Sequence, residues 1–218
     1  MKKLTTAVPR GVATPKAKAA FNERFEAMLG EETVRNLAKA WIDFAGRLDY
    51  GYDARRSRID DFTPGTPLGE KTATCTVHAD RGWQNSAIRL EAGEHIRIEA
   101  AGRFQLDDRP GPWIAEPNGI TLKYHDGRPV GMLLATVLTD EQDEYVEAEP
   151  GETGTGKAER SVPSGFAFLR PVAVGSARAW TPPRSGTLYF RVNDSPADLA
   201  NNKGNIKVTV ESYPVGDP

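Results

Sequence analysis

The feature that most constrains this chain is a succession of short alternating segments between residues 72 and 213, with no helix-length periodic stretch among them. Thr74-Cys75-Thr76-Val77-His78 alternates side chain by side chain, the period of a strand with one face turned inward. Residues 87–90 and 96–100 read as two strands around Gly93, and residues 120–124, 132–137, 171–174, 187–192 and 206–210 continue the pattern. Gly, Pro, Asn and Asp punctuate the gaps. At least seven strands so punctuated predict a mainly β fold, a jelly-roll-like β-sandwich. Parallel α/β folds are excluded, because parallel strands need helical crossovers that this region does not encode.

The N-terminal part has a different texture. Residues 1–18 place Lys2, Lys3, Arg10, Lys16 and Lys18 ahead of the first acid, Glu23, and read as a basic flexible tail. Thr14-Pro15 has the form of an N-cap followed by a first-turn proline. Ala20, Phe21, Phe25, Met28 and Leu29 then recur at helical spacing, Gly30 interrupts, and Glu31-Glu32-Thr33 restart with acids in a first turn. Val34, Leu37, Ala38, Trp41, Phe44, Ala45 and Leu48 share one face. Residues 19–49 are therefore expected to form a helical hairpin or arm whose aromatic stripe packs into a core. Residues 50–71, rich in Gly, Pro and charge, read as a linker, with Arg55-Arg56-Ser57-Arg58 a solvated turn. The sandwich is assigned to residues 72–214, interrupted at 139–165 by an acidic inserted loop. Within that loop residues 151–158 nearly spell a phosphate-binding P-loop. Ala158 stands where Ser or Thr must hold magnesium, and no strand precedes it, so the motif is rejected.

Composition removes several classes of function. Twenty-eight Lys and Arg against 30 Asp and Glu leave a net charge of −2, unlike a protein that binds nucleic acid through bulk charge. One cysteine, Cys75, excludes an internal disulfide framework and a cysteine-cluster zinc site, and three histidines leave little for a His-based one. No apolar run is long enough to span a membrane. The apolar stretch after Met1-Lys2-Lys3 is too short for an export signal, so a cytoplasmic location is expected.

The residues that carry chemistry lie near the C-terminus. Asn193, Asp194, Asp198, Asn201 and Asn202 crowd side-chain oxygens into one loop that ends at Gly204. Hard cations such as Ca²⁺ take six to eight oxygens from carboxylates, amides and main-chain carbonyls. The spacing is not that of an EF-hand. Asn, Asp and Gly also populate ordinary turns, so composition alone leaves a cation loop and a plain turn both open.

The stretch from Trp83 to Val210 resembles the PA-IL-type, galactose-binding-like lectin domain. The resemblance rests on Ile88-Arg-Leu-Glu-Ala-Gly93 and Ile96-Arg-Ile-Glu-Ala-Ala-Gly102 early, on Pro117-Asn118-Gly119 and Gly131-Met-Leu-Leu centrally, and on Asn193-Asp194 with Asn201-Asn202-Lys-Gly204 late. It implies a jelly-roll sandwich that binds a sugar through a bridging Ca²⁺. It also implies a ligand set: the Asp194 carboxylate, side-chain oxygens of Asn201 and Asn202, and main-chain carbonyls of Leu106 and Asp198. Two positions on the ion would remain for vicinal hydroxyls of a galactose-like sugar. Glu116, Asn118, Asp194 and Asn201 are the implied sugar contacts, although Glu116-Pro117-Asn118-Gly119 stands where the family has a His-Pro-Asp-Gln-Gly-like segment.

The expectation is a calcium-dependent, non-catalytic carbohydrate-binding module with a carbohydrate or glycoconjugate as partner. The alternative is a protein-interaction or assembly subunit, using the sandwich and its N-terminal helices to dock a partner or a second copy. No nucleophile stands beside a recognisable base, so an enzyme is not expected.

Overall fold

Proline and glycine set the limits of the N-terminal helices. The computed structural model describes residues 14–69, 71–139 and 164–213. Of the expected tail 1–18, residues 1–13 lie outside the described residues, as do most of the acidic insertion and the P-loop-like stretch, whereas Pro15, Lys16, Ala17 and Lys18 form the first turn of a helix and not a tail. Helix α1 spans Pro15–Leu29, capped by Thr14, whose hydroxyl accepts from the Ala17 amide at 3.2 Å. Gly30, at φ 83°, closes it in a conformation that a side chain would strain. Helix α2, Glu31–Arg47, begins with Glu31 and Glu32 at its positive end and finishes with Arg47 at its negative end. A short α3, Ala54–Ser57, is capped by Asp53 Oδ1, which accepts from the Arg55 and Arg56 amides.

Among the described residues there are twelve strands: β1 (Thr66–Pro67), β2 (Thr72–His78), β3 (Gln84–Leu90), β4 (Ile96–Ala101), β5 (Phe104–Asp107), β6 (Trp113–Ala115), β7 (Asn118–His125), β8 (Arg128–Thr139), β9 (Val172–Ala173), β10 (Ala177–Trp180), β11 (Gly186–Val192) and β12 (Asn205–Ser212). One sheet runs β1-β3-β11-β8-β7, with β9 also on β8, and the other runs β10-β4-β12-β2. Strands β5 and β6 pair beside them. Among the described residues every strand pairing is antiparallel except β1 on β3. The expected β-sandwich with an N-terminal helical region is the fold observed.

The core lies between the two sheets. Alternation puts Ile96, Ile98 and Ala100 of β4 and Ile206, Val208 and Val210 of β12 inward, facing Ile88, Leu90, Leu133, Leu188, Phe190 and Val192. Each such Ile, Val, Leu or Phe side chain contributes about 1.5–3 kcal/mol on burial. Strand β11 is buried along its whole length, which alternation alone does not explain. Its odd-numbered side chains emerge on the outer face, where Tyr189 joins Ile59, Trp83, Leu134, Leu138 and Phe168 in a second cluster. The cover over that face is the 3-10 turn Ser164–Leu169 with α2 laid across it. Two glycines allow the close approach: a Cβ on Gly46 would meet Leu169 Cδ1 at 2.6 Å, and one on Gly165 would meet Ile42 Cδ1 at 3.0 Å.

Helix α2 therefore turns a different face inward from the one its apolar stripe predicts. Its one buried residue is Asp43, while Leu37 and Trp41 remain 51% and 63% exposed. Among the described residues α1 buries none. The inward face is ionic. Asp43 accepts from Arg47 Nη2 at 2.6 Å, both nearly inaccessible, and Arg191 of β11 lies fully buried close by, over the Trp83 ring at 5.3 Å. Burial pulls the Arg191 guanidinium well below its ordinary pKa, with the like charge of Arg47 adding to it.

Within the expected linker 50–71, residues 50–69 run along the sandwich as packed chain. Ser57, Ile59 and Leu68 are buried, Thr66–Pro67 extends the sheet beyond β3, and the Tyr189 hydroxyl donates to the Asp61 carbonyl at 2.9 Å.

Candidate metal centre

The connection from β11 to β12, residues 193–204, leaves a central strand of one sheet and enters a central strand of the other. Its first residue is structural. Asn193 is fully buried, and its Nδ2 donates to the carbonyls of His125, Arg128 and Pro129 at 2.9–3.0 Å. It thereby fixes the β7–β8 hairpin, whose turn residues Asp126 and Gly127 both have positive φ, as a two-residue primed turn requires.

Asp194, next in sequence, is 2% exposed. Its Oδ1 accepts from the Ser195 amide at 2.8 Å and its Oδ2 from Asn202 Nδ2 at 3.0 Å. Asn202 Nδ2 also donates to the Ala79 carbonyl at 3.1 Å. Asn201 Nδ2 donates to Asp107 Oδ1 at 3.2 Å. Both amides thus have acceptors on their nitrogen side, which fixes their orientation. Asn201 Oδ1 and Asn202 Oδ1, like Asn193 Oδ1 at the start of the loop, are buried without a hydrogen-bond partner among the described residues. Three orphaned amide oxygens, two of them on the successive residues Asn201 and Asn202, around a buried carboxylate are the unusual feature of this loop, since buried acceptors ordinarily find a donor.

Leu106 reaches the same place from another strand. Gln105 and Lys203 exchange backbone hydrogen bonds at 2.8 and 3.0 Å, tying β5 to the loop. In the β5–β6 ladder Gln105 opposes Ile114 and Asp107 opposes Trp113, so Leu106 is the extra residue of a bulge and its peptide leaves the ladder. Asp198 contributes in two directions. Its carbonyl accepts from the Asn201 amide at 3.3 Å, and its carboxylate accepts from Lys123 Nζ at 2.8 Å.

Of the residues expected at the site, Leu106, Asp194, Asp198, Asn201 and Asn202 come from one neighbourhood. Glu116 and Asn118 are engaged elsewhere. The exposed Glu116 carboxylate faces Arg103 at 3.9 Å, and Asn118 Oδ1 accepts from the Ser176 amide at 2.8 Å. Neither bonds to Asp194 or Asn201 among the described residues. Trp113 is half-buried against the main core. Two residues that sequence reasoning did not name also belong here. Asp107 partners Asn201, signalled in the sequence only by its adjacency to Leu106, and Lys123 partners Asp198, for which the sequence carries no signal.

Electrostatics agree with the geometry. Burial raises the Asp194 carboxyl above its ordinary value, against the hydrogen bonds from Asn202 and Ser195 and the charge of Lys123. Burial lowers Lys123, but Asp198, Asp194 and Asp107 outweigh it and leave the ammonium raised. Among the described residues no three His, Cys, Asp or Glu side chains gather as a metal site. The donors at hand are instead amide and carbonyl oxygens around a single buried carboxylate. That is a hard set, fitted to Ca²⁺ and ill-suited to zinc.

No family model matches the chain, and no curated protein does. Among solved structures it is similar to one described as "EclA N-terminal domain; PllA-like lectin", at 20% identity over 65% of this chain and 96% of that one, with a TM-score of 0.42.

Proposed function

We propose that this protein is a non-catalytic, calcium-dependent carbohydrate-binding module. The observation that carries the reading is the pair of buried, unpartnered oxygens of Asn201 and Asn202 beside the Asp194 carboxylate. Asp194 would hold the ion through its carboxylate, Asn201 and Asn202 through Oδ1, and Leu106 and Asp198 through main-chain carbonyls. Each Asp194 oxygen accepts one hydrogen bond and keeps lone-pair capacity for a cation. Calcium bound there supplies coordination positions that two neighbouring hydroxyls of a galactose-like sugar can take from water. The chain's own contribution is to hold the oxygens in place: the Gln105–Lys203 bridge fixes the loop to β5, and Asn202 fixes it to Ala79.

Thermal unfolding in 1 mM-scale CaCl₂ against EDTA, followed by galactose, tests this. A ligand at ~100 times its dissociation constant adds about 2.7 kcal/mol, or several degrees. A rise with calcium and a further rise with sugar is the expected result. A protein whose unfolding is indifferent to calcium would overturn the reading.

A second reading, a protein-interaction or assembly subunit, is favoured by the exposed Met28, Leu37 and Trp41 on the helices. Sedimentation of the full chain beside a Trp41→Gln variant distinguishes it: self-association lost in the variant supports an assembly role for the helices.

A further inference from the structure

Strand β7 does not run evenly beside β8. Ile120 opposes Val130 and Tyr124 opposes Pro129, so residues 121–123 have no counterparts on β8 and bulge from the sheet. Leu122, at the crest, is 86% exposed. A bulge that exposes a leucine runs against packing, and its effect is to carry Lys123 across to the β11–β12 loop. There the ammonium meets Asp198 Oδ2 at 2.8 Å and lies in the field of Asp194 and Asp107. Three carboxylates and one ammonium thus share the neighbourhood of the orphaned amide oxygens.

We propose that Lys123 is a built-in counter-ion that sets the cation affinity of this loop, opposing a divalent ion and holding the Asp198 carboxylate away from it. This rests on the calcium reading above. Two effects act in the same direction. A fixed positive charge beside the site repels an incoming cation, and the ion pair with Asp198 keeps a third carboxylate from adding its charge to the ligand set. The loop is thereby tuned to bind calcium weakly and to release it, with Lys123 taking over part of the charge compensation when the ion leaves. Being partly exposed, the pair is screened by salt, so the tuning weakens as ionic strength rises.

The test is calorimetric titration of the full chain with CaCl₂, in low and high NaCl, for the native protein, Lys123→Met and Lys123→Arg. Lys123 is 44% exposed, so neither change threatens folding, and matched unfolding curves in EDTA check this. Lys123→Met is expected to bind calcium roughly three- to tenfold more tightly at low salt, from a unit charge acting on a divalent ion across several ångströms of high dielectric. The gain should shrink at high salt, and Lys123→Arg should stay near the native affinity. Binding by Lys123→Met alone, with none by the native protein, overturns the calcium reading and with it the tuning role of Lys123. Equal or weaker binding by Lys123→Met, with the native protein still binding, overturns the role of Lys123 and leaves the calcium reading standing. No binding by any of the three overturns both.

Discussion

Asn202 gives its amide nitrogen to Asp194 Oδ2 at 3.0 Å and keeps its own carbonyl oxygen buried and unpartnered. The pair is incomplete as protein alone: the nitrogen side is satisfied, and the oxygen side holds acceptors without a donor. Asp194→Asn is the informative change. It retains one oxygen but sets an amide nitrogen against one of the two present donors, so about 1–2 kcal/mol of stability should be lost in EDTA. The diagnostic quantity is the increment on adding calcium. The native protein should gain degrees of melting temperature where the variant gains none, and an undiminished increment would remove Asp194 from the ligand set.

The ionic junction under α2 makes a separate prediction. Asp43 is buried against Arg47 at 2.6 Å, with Arg191 also buried in the vicinity. Asp43→Ala strips the one buried carboxylate of the group and leaves two guanidinium groups to repel each other out of water. The expected cost is about 3–5 kcal/mol, read from urea denaturation. Replacing Asp43 and Arg47 together by Leu and Met should recover much of it, because a buried pair exchanged for apolar volume is often close to neutral. A small loss in Asp43→Ala alone would mean that water reaches this junction freely.

Cys75 sits on β2, partly packed against the main core, and burial raises its thiol to about 11 from 9.0. At pH 8 only about one thiol in a thousand is then ionised, so iodoacetamide should alkylate the folded protein roughly a hundredfold more slowly than the unfolded one. The sign for stability follows from the same shift. The folded state favours the neutral thiol, so the contribution is intact below pH 9.0 and declines as pH rises toward about 11. Native protein should lose stability relative to Cys75→Ala across that window in matched denaturant titrations.

The strands, and the crowding of polar side chains in the β11–β12 loop, are legible because each depends on local pattern. Alternation in Ile96-Arg97-Ile98-Glu99-Ala100 gives the inward face of β4 directly, and the cap at Thr14 and the break at Gly30 are read from single residues. The clustering of the candidate side chains Asp194, Asn201 and Asn202 is legible because they fall within nine residues of one another on one connection. What escaped are relations across the chain. Lys123 reaches Asp198 only because of a bulge 75 residues upstream, and nothing in Thr121-Leu122-Lys123 announces it. Residues 50–71 looked like a linker because their packing depends on single side chains, Ile59 and Leu68, entering clusters formed by distant strands.

The helical stripe shows the same limit and offers the simplest check. Periodicity placed Leu37 and Trp41 on a buried face, yet α2 meets the sandwich through Asp43, Ile42 and Gly46. The reason is steric and electrostatic together. Gly46 admits the Leu169 side chain, which a Cβ there would force to shift, and the Asp43–Arg47 pair lies within electrostatic reach of Arg191, which β11 projects outward. Once those contacts fix the helix rotation, Trp41 points outward, in contact with Phe44 at a centroid distance of 5.4 Å. Trp41→Gln should therefore change stability by no more than about 0.5 kcal/mol, as surface substitutions do, against the 3–5 kcal/mol expected of a core tryptophan. Urea denaturation of the dilute protein reads the difference. A core-sized loss at low concentration would turn the helix back to the face its sequence predicts, whereas a loss that grows with protein concentration would show that a second copy covers it.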